Sequence, residues 1–318
     1  MTKTVAVTGA SGFVGSEVCR LLRVTGVDVR GFFGRRSVAS EPGELSLDLL
    51  AARKQWEAAL RDVDVVVHLA ALTHDRVGEG GYEEIYAVNV KGTENLVQAA
   101  VSAGVKRFVF MSSIKVNGEH TPEGSAFRVS DAPRPSSDYG STKLEAERRV
   151  SRICQDSGVD WVVVRAPLVC GPGVKGNLAD LARWIVRGWP LPLGAIENKR
   201  SMVSVADLSD LLCKCVFAKD NLATVLLAAD DSVVSTSDIC RWMFSEVKSS
   251  SWLLPVPAFL LSLLFRLAGR SELRAKLLGS LVVDNTVAKQ KLAWCPEKGV
   301  EQAVRAMASE VQSSMEKK

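Results

Sequence analysis

The chain has 318 residues, 47% of them hydrophobic, and a formal net charge of +4. That length fits one large domain or two closely packed ones, and the apolar content argues against disorder. No basic stripe of the kind nucleic-acid binding needs is visible. The histidines, His68, His74 and His120, are too few and too scattered for a multi-histidine metal site, and the unpatterned cysteines read as reduced thiols of a cytoplasmic protein.

A strand is predicted over Thr4 to Thr8, with no signal-peptide pattern before it. Gly9, Gly12 and Gly15 follow, in T-G-A-S-G-F-V-G, and helical spacing then runs from Phe13 to Val24. Between a strand and a helix such glycines have a use. Gly9 allows a tight turn, Gly12 lets the backbone approach a pyrophosphate, and Gly15 permits close helix packing. The helix N-terminus offers N–H groups and a positive dipole to the anion. Ser11, Phe13 and Val14 complete this candidate dinucleotide cradle.

A second strand is predicted over Val27 to Phe33. Binders of NAD place a carboxylate near its end to hold the ribose hydroxyls. Here Phe33 stands there, followed by Gly34, Arg35 and Arg36. Two guanidiniums suit a 2′-phosphate, so NADP(H) is the favoured cofactor and NAD(H) the alternative.

Val63 to Ala70 is an almost continuous apolar run, as in a strand buried on both faces. A long amphipathic helix is predicted over Tyr82 to Ala103, and a strand over Val105 to Met111 that ends at Ser112 and Ser113. A charged helix follows over Tyr139 to Gln155, closed by Gly158, then a strand over Trp161 to Val164. This alternation predicts an α/β fold, a Rossmann-type doubly wound parallel sheet. Tyr139 and Lys143 fall at i and i+4, on one helix face. A nearby ammonium favours the phenolate and would make the phenol a workable acid and base near neutral pH. A serine at a strand's carboxyl end, Ser113, could polarise a substrate carbonyl there.

After Pro167 the pattern loosens. Residues 1–166, with 203–229 returning to them, are expected to form the dinucleotide-binding domain, with one more strand over Thr224 to Ala228. Residues 167–202 and 230–318 are expected to form a smaller C-terminal substrate-binding lobe. The most apolar stretch, Trp252 to Ala268, is shorter than the ~20 residues a spanning helix needs. It predicts a buried or half-buried helix, with contact to a membrane surface as the alternative.

Taken in order, T-G-A-S-G-F-V-G, H-L-A-A, N-V-x-G-T, S-S-I-K-V-N-G, Y-G-S-T-K and R-A-P-L-V-C-G-P-G resemble the extended short-chain dehydrogenase/reductases, the NAD(P)-dependent sugar epimerase/dehydratase group. The resemblance implies that Ser113, Tyr139 and Lys143 form a catalytic triad, with Lys143 also holding the nicotinamide ribose. It implies adenine contacts at Asp48 and Leu49, and a cofactor border at Leu69, Ala70, Ala71 and Pro167. It implies substrate contacts at Thr73, Ser113, Lys115, Asn177 and Arg200, the last two toward the phosphates of a UDP-sugar. A homodimer is the expected assembly.

More narrowly, G-P-G-V-K-G-N, P-L-P-L-G, N-K-R-S and L-L-G-S-L-V-V-D resemble bacterial UDP-4-keto-6-deoxy-hexosamine 4-reductases and UDP-glucose 4-epimerase-like proteins of surface-polysaccharide (O-antigen) precursor synthesis. Cys170 and Asn117 depart from the tyrosines that many relatives carry. The first expectation is therefore NAD(P)H-dependent reduction of the 4-keto group of a UDP-linked 6-deoxy-hexosamine. The second is a UDP-hexose 4-epimerase that retains NAD. A reductase of hydrophobic ketones and a non-catalytic NADP sensor complete the alternatives.

Overall fold

A computed structural model of the chain describes residues 3–34, 44–73, 81–248 and 251–316. The first strand, β1 (Thr4–Thr8), leads into α1 (Phe13–Val24) and β2 (Asp28–Phe33). Next come β3 (Glu44–Ser46), α2 (Arg53–Ala59) and β4 (Val65–His68). A single helical run then comprises α3 (Gly81–Tyr86), a π-helical turn (Ala87–Gly92) and α4 (Thr93–Ser102). After β5 (Arg107–Ser113) a 3₁₀ turn (Ile114–Val116) precedes α5 (Asp138–Ser157) and β6 (Asp160–Ala166).

These strands, joined by β9 (Thr224–Leu227), form a seven-stranded sheet of order β3-β2-β1-β4-β5-β6-β9 in which every pairing is parallel. The strand residues explain it. Val5, Val7, Val65, Val67, Val109, Val162 and Val164 point to one face, against α1 and α7 (Val205–Phe217). Ala6, Val66, Phe108, Phe110 and Val163 point to the other, against Trp56, Leu96, Ala146 and Val150 of α2, α4 and α5. Both sets are buried, so the alternation of an exposed sheet is absent and the runs read as continuously apolar.

A second, three-stranded sheet of order β10-β8-β7 contains β7 (Leu168–Cys170), β8 (Arg200–Ser204) and β10 (Val233–Val234). The core beside it takes residues from α6 (Asn177–Val186), α8 (Thr236–Glu246) and α12 (Val300–Glu316). The remaining helices are α9 (Ala258–Leu267), α10 (Ser271–Leu278) and α11 (Thr286–Leu292).

Two expectations change here. The helix expected over 82–103 is not uniformly α, because a π turn interrupts it at Ala87–Gly92, a feature common at functional sites. The apolar stretch after Trp252, expected to be a buried or half-buried helix, is largely exposed. It forms α9 at the surface, where Leu261 alone is buried and Phe259 and Leu267 are 70% and 78% exposed.

Candidate active site

Strand order places the reversal of connection between β1 and β4, and ligands of open parallel sheets bind outside the strand carboxyl ends at such a point. Gly9 follows β1 there. It has φ +72°, and a Cβ on it would come within 2.9 Å of the Ala70 backbone nitrogen. At Gly15 the limit is space: a Cβ would lie 2.0 Å from the Gly9 carbonyl oxygen. Helix α1 begins at Gly12 with no side-chain cap and no acidic residue in its first turn. That leaves an N-terminus suited to an anion, with room for backbone approach, and so the loop fits a dinucleotide pyrophosphate.

The ends of neighbouring strands supply the rest. The His68 ring, fully buried, is hydrogen-bonded at Nδ1 to Thr8 Oγ1 (2.7 Å) and at Nε2 to Thr93 Oγ1 (2.9 Å). Burial, with a smaller contribution from the Lys143 charge, pushes the imidazole down to about 3, so it is a neutral brace tying β1 and β4 to α4. Leu69, Ala70 and Ala71 follow it, half-buried, and Thr73 is exposed. Asn89, in the π turn, holds this segment by accepting from the Leu72 N–H (2.7 Å) and donating to the Leu72 carbonyl (2.9 Å). Sequence reasoning did not single out Asn89; its place in N-V-x-G-T was the one signal for it. Leu49 is buried and packs on Gly92 of the same turn, where a Cβ would come within 2.8 Å of Leu49 Cγ. Asp48 accepts from the Leu50 N–H (2.8 Å).

Ser113 ends β5 and caps the 3₁₀ turn, its Oγ accepting from the Lys115 N–H (3.3 Å). The Lys115 ammonium pairs with Glu119 at 3.3 Å. Helix α5 starts on Ser137, whose Oγ accepts from the Gly140 N–H (3.3 Å). A Cβ at Gly140 would sit 2.8 Å from the Lys115 carbonyl oxygen, so glycine lets the first turn of α5, with Tyr139, close on the turn that carries Ser113.

Lys143 lies one helical turn further, buried, its Nζ 4.1 Å from the centre of the Phe110 ring. Burial drives its ammonium down to about 7, opposed by the charge of Glu147. Glu147 is itself buried and is gripped by Arg165 of β6, through Nη2 (2.7 Å) and Nε (3.0 Å). Arg165 Nη1 also donates to Asn117 Oδ1 (2.8 Å). Asn117, where many relatives carry tyrosine, is thus one wall of a buried ion pair behind the lysine. Burial pushes the Tyr139 phenol up to about 12. Desolvation is the cause, acting on the phenol as on the lysine.

Other expected residues lie further along. Pro167 is buried between β6 and β7. Asn177 is exposed at the first position of α6, after Gly176, which has φ +72°. Arg200 opens β8, and its Nη1 donates to the carbonyls of Lys276 (2.9 Å) and Gly279 (3.1 Å) at the end of α10. Burial lowers its pKa. Arg35 and Arg36 lie outside the described residues.

A glycine loop at the switch point of a parallel sheet defines a dinucleotide-binding α/β protein. The profile of the NAD dependent epimerase/dehydratase family matches residues 5–225. A UDP-glucose 4-epimerase of Vibrio cholerae is 37% identical over 315 residues, covering 97% of this chain and 95% of its own. A dTDP-6-deoxy-L-talose 4-dehydrogenase (NAD(P)(+)) of Kitasatospora kifunensis is 27% identical, covering 95% of this chain and 94% of its own. The crystal structure of a Thermus thermophilus UDP-glucose 4-epimerase with NAD superposes with a TM-score of 0.80, covering 98% of this chain and 99% of that one, at 22% identity, a likeness of fold. The chain belongs to the NAD-dependent epimerase/dehydratase family and is an NAD(P)-dependent enzyme of the extended short-chain dehydrogenase/reductase type.

Proposed function

We propose that the protein carries out oxidation and reduction at C4 of a UDP-hexose, as a 4-epimerase. The observation that carries the reading is the convergence of the glycine loop, Ser113, Tyr139 and Lys143 on one edge of the sheet. The Vibrio cholerae relative, matched nearly end to end, supports the choice of sugar nucleotide and reaction. When bound, the dinucleotide, NAD or NADP, supplies the hydride acceptor and donor.

The chain's own residues handle the proton. Tyr139 takes the C4 hydroxyl proton as the C4 hydrogen leaves with its electron pair, and gives it back when the hydride returns to the other face. Both are restored, so the balance closes without external reductant. The Ser113 hydroxyl orients the C4 oxygen, and Lys143 supplies charge beside the phenol. Residues 167–202 and 230–318 cover the sugar nucleotide, with Asn177 and Arg200 toward its phosphates and Thr73 and Lys115 toward the sugar.

A second reading is the 4-ketoreductase of a UDP-linked 6-deoxy-hexosamine. Strand β2 ends at Phe33, followed by Gly34, and neither position offers a carboxylate to hold a ribose, which favours NADP(H) and a cofactor that exchanges at each turnover. The Kitasatospora relative, a 4-dehydrogenase that uses NAD(P)(+), agrees with that choice. The test is to incubate the purified protein with UDP-glucose or UDP-galactose without added reductant and follow the sugars by NMR. Interconversion supports the epimerase. NADPH consumption with a UDP-4-keto-6-deoxy-hexosamine, and no interconversion, selects the reductase. Neither activity would overturn both readings.

A further inference from the structure

The segment around α9 is basic as well as apolar. Residues 248–278 hold five basic side chains, Lys248, Arg266, Arg270, Arg274 and Lys276, against the single acid Glu272, leaving 35 of each sign elsewhere. The segment itself therefore carries a net charge of +4. The same segment contains α9, whose ten residues include no acid.

Leu261 and Phe265 turn inward onto the core of the second sheet's side. Phe259, Leu260, Leu263, Leu264 and Leu267 turn outward, with exposures from 42% to 78%. These five fall in i, i+4 rows on one face, so the exposed apolar surface is continuous along the helix. A patch of this kind marks an interaction surface. Its margin is aromatic and basic. Trp252 is 71% exposed, and its carbonyl accepts from the Leu191 N–H (2.8 Å), which places Trp189 on the adjoining segment. Trp189 is half exposed, packs edge-on against Trp184 (4.9 Å) and lies under the Arg187 guanidinium (5.5 Å). Arg266 and Arg270 are exposed at the C-terminal end of α9.

We propose that α9 docks the protein on the surface of an anionic lipid bilayer, lying in the interface with its leucine face toward the acyl chains. Among the described residues no helix is long and apolar enough to cross a membrane. At about 1.5 Å per residue α9 has the length of an in-plane anchor only. Tryptophan and arginine at its rim are the side chains that suit the headgroup layer. Charge decides between occupants. A second copy would bring two faces of the same positive sign together, whereas an anionic leaflet attracts both the face and its rim.

The experiment is co-sedimentation of the full chain with vesicles of phosphatidylcholine alone and of phosphatidylcholine mixed with phosphatidylglycerol, alongside sedimentation velocity without lipid. The wild type binds the mixed vesicles and releases in high salt. Arg266→Gln with Arg270→Gln weakens that binding about thirtyfold, since each basic residue near the surface is worth ~1 kcal/mol or about fivefold. Leu263→Ser with Leu267→Ser abolishes it while leaving the circular-dichroism spectrum and the thermal midpoint nearly unchanged, because both side chains are exposed. Absence of wild-type binding, or binding unaffected by the leucine pair, overturns the proposal. A lipid-free dimer that the leucine pair converts to monomer also overturns it, by showing that a second copy covers the face.

Discussion

Replacing Lys143 by methionine should stabilise the cofactor-free protein while removing its activity. Burial lowers the Lys143 pKa from 10.5 to about 7. A folded pKa below the unfolded value means that the unfolded chain binds more protons between those limits, so stability rises with pH across that window. Below pH 7 the full penalty of keeping the charge buried is present. Each pKa unit corresponds to ~1.36 kcal/mol, which puts that penalty at about 4–5 kcal/mol, and about 2–3 kcal/mol of it should be relieved between pH 6 and pH 9. Methionine matches the lysine stem in length and carries no charge, so Lys143→Met should lack this increment. The assay is urea unfolding of both proteins at the two pH values, read as the difference between their pH dependences, which cancels the other titrating groups. Parallel pH dependences would refute the reasoning and show that Lys143 is solvated.

Three further outcomes follow from particular residues. Glu147→Gln leaves Arg165 charged and buried without its carboxylate, and should cost about 3–5 kcal/mol in chemical unfolding; it should also lower the Lys143 pKa further, moving the alkaline limb of the pH–rate profile down, since the lysine is needed charged. Gly15→Ala should abolish dinucleotide binding measured by calorimetry, because its Cβ would lie 2.0 Å from the Gly9 carbonyl oxygen and the loop must shift. Arg35→Ala with Arg36→Ala should weaken NADPH binding by ~1.5–3 kcal/mol per lost charge-assisted contact and NADH binding far less; equal losses would remove the case for a 2′-phosphate site.

The first half of the fold was readable because its strands are buried on both faces. Residues 65–67 of β4 and 108–111 of β5 appear as apolar runs whichever side chain is considered. The cap residue Gly158, at φ +71°, marked the end of α5 by local chemistry alone. The three-stranded sheet was not readable, since β7 and β10 are only three and two residues long and draw their stability from distant partners. The π turn leaves the apolar spacing of the surrounding helix almost unchanged, so its extra residue is invisible to periodicity. Helix α9 misled for the opposite reason: its composition is that of a core helix, and only the tertiary structure shows that most of it faces outward. At the site, residue types and the spacing of Tyr139 and Lys143 were legible. Their desolvation was not, nor was the ion pair that Arg165 makes with Glu147 from a neighbouring strand, because both arise from packing between elements.

The measurement that bears most directly on the account is turnover by Tyr139→Phe with the sugar nucleotide and cofactor that the wild type uses. The substitution removes one hydroxyl and leaves the ring in place, so nucleotide binding measured by fluorescence should be nearly unchanged. Loss of the proton donor should lower kcat by ~10²–10⁴-fold, the usual contribution of general acid–base catalysis. A variant that keeps more than about half of the wild-type rate would contradict the central claim that Tyr139 moves the proton at C4.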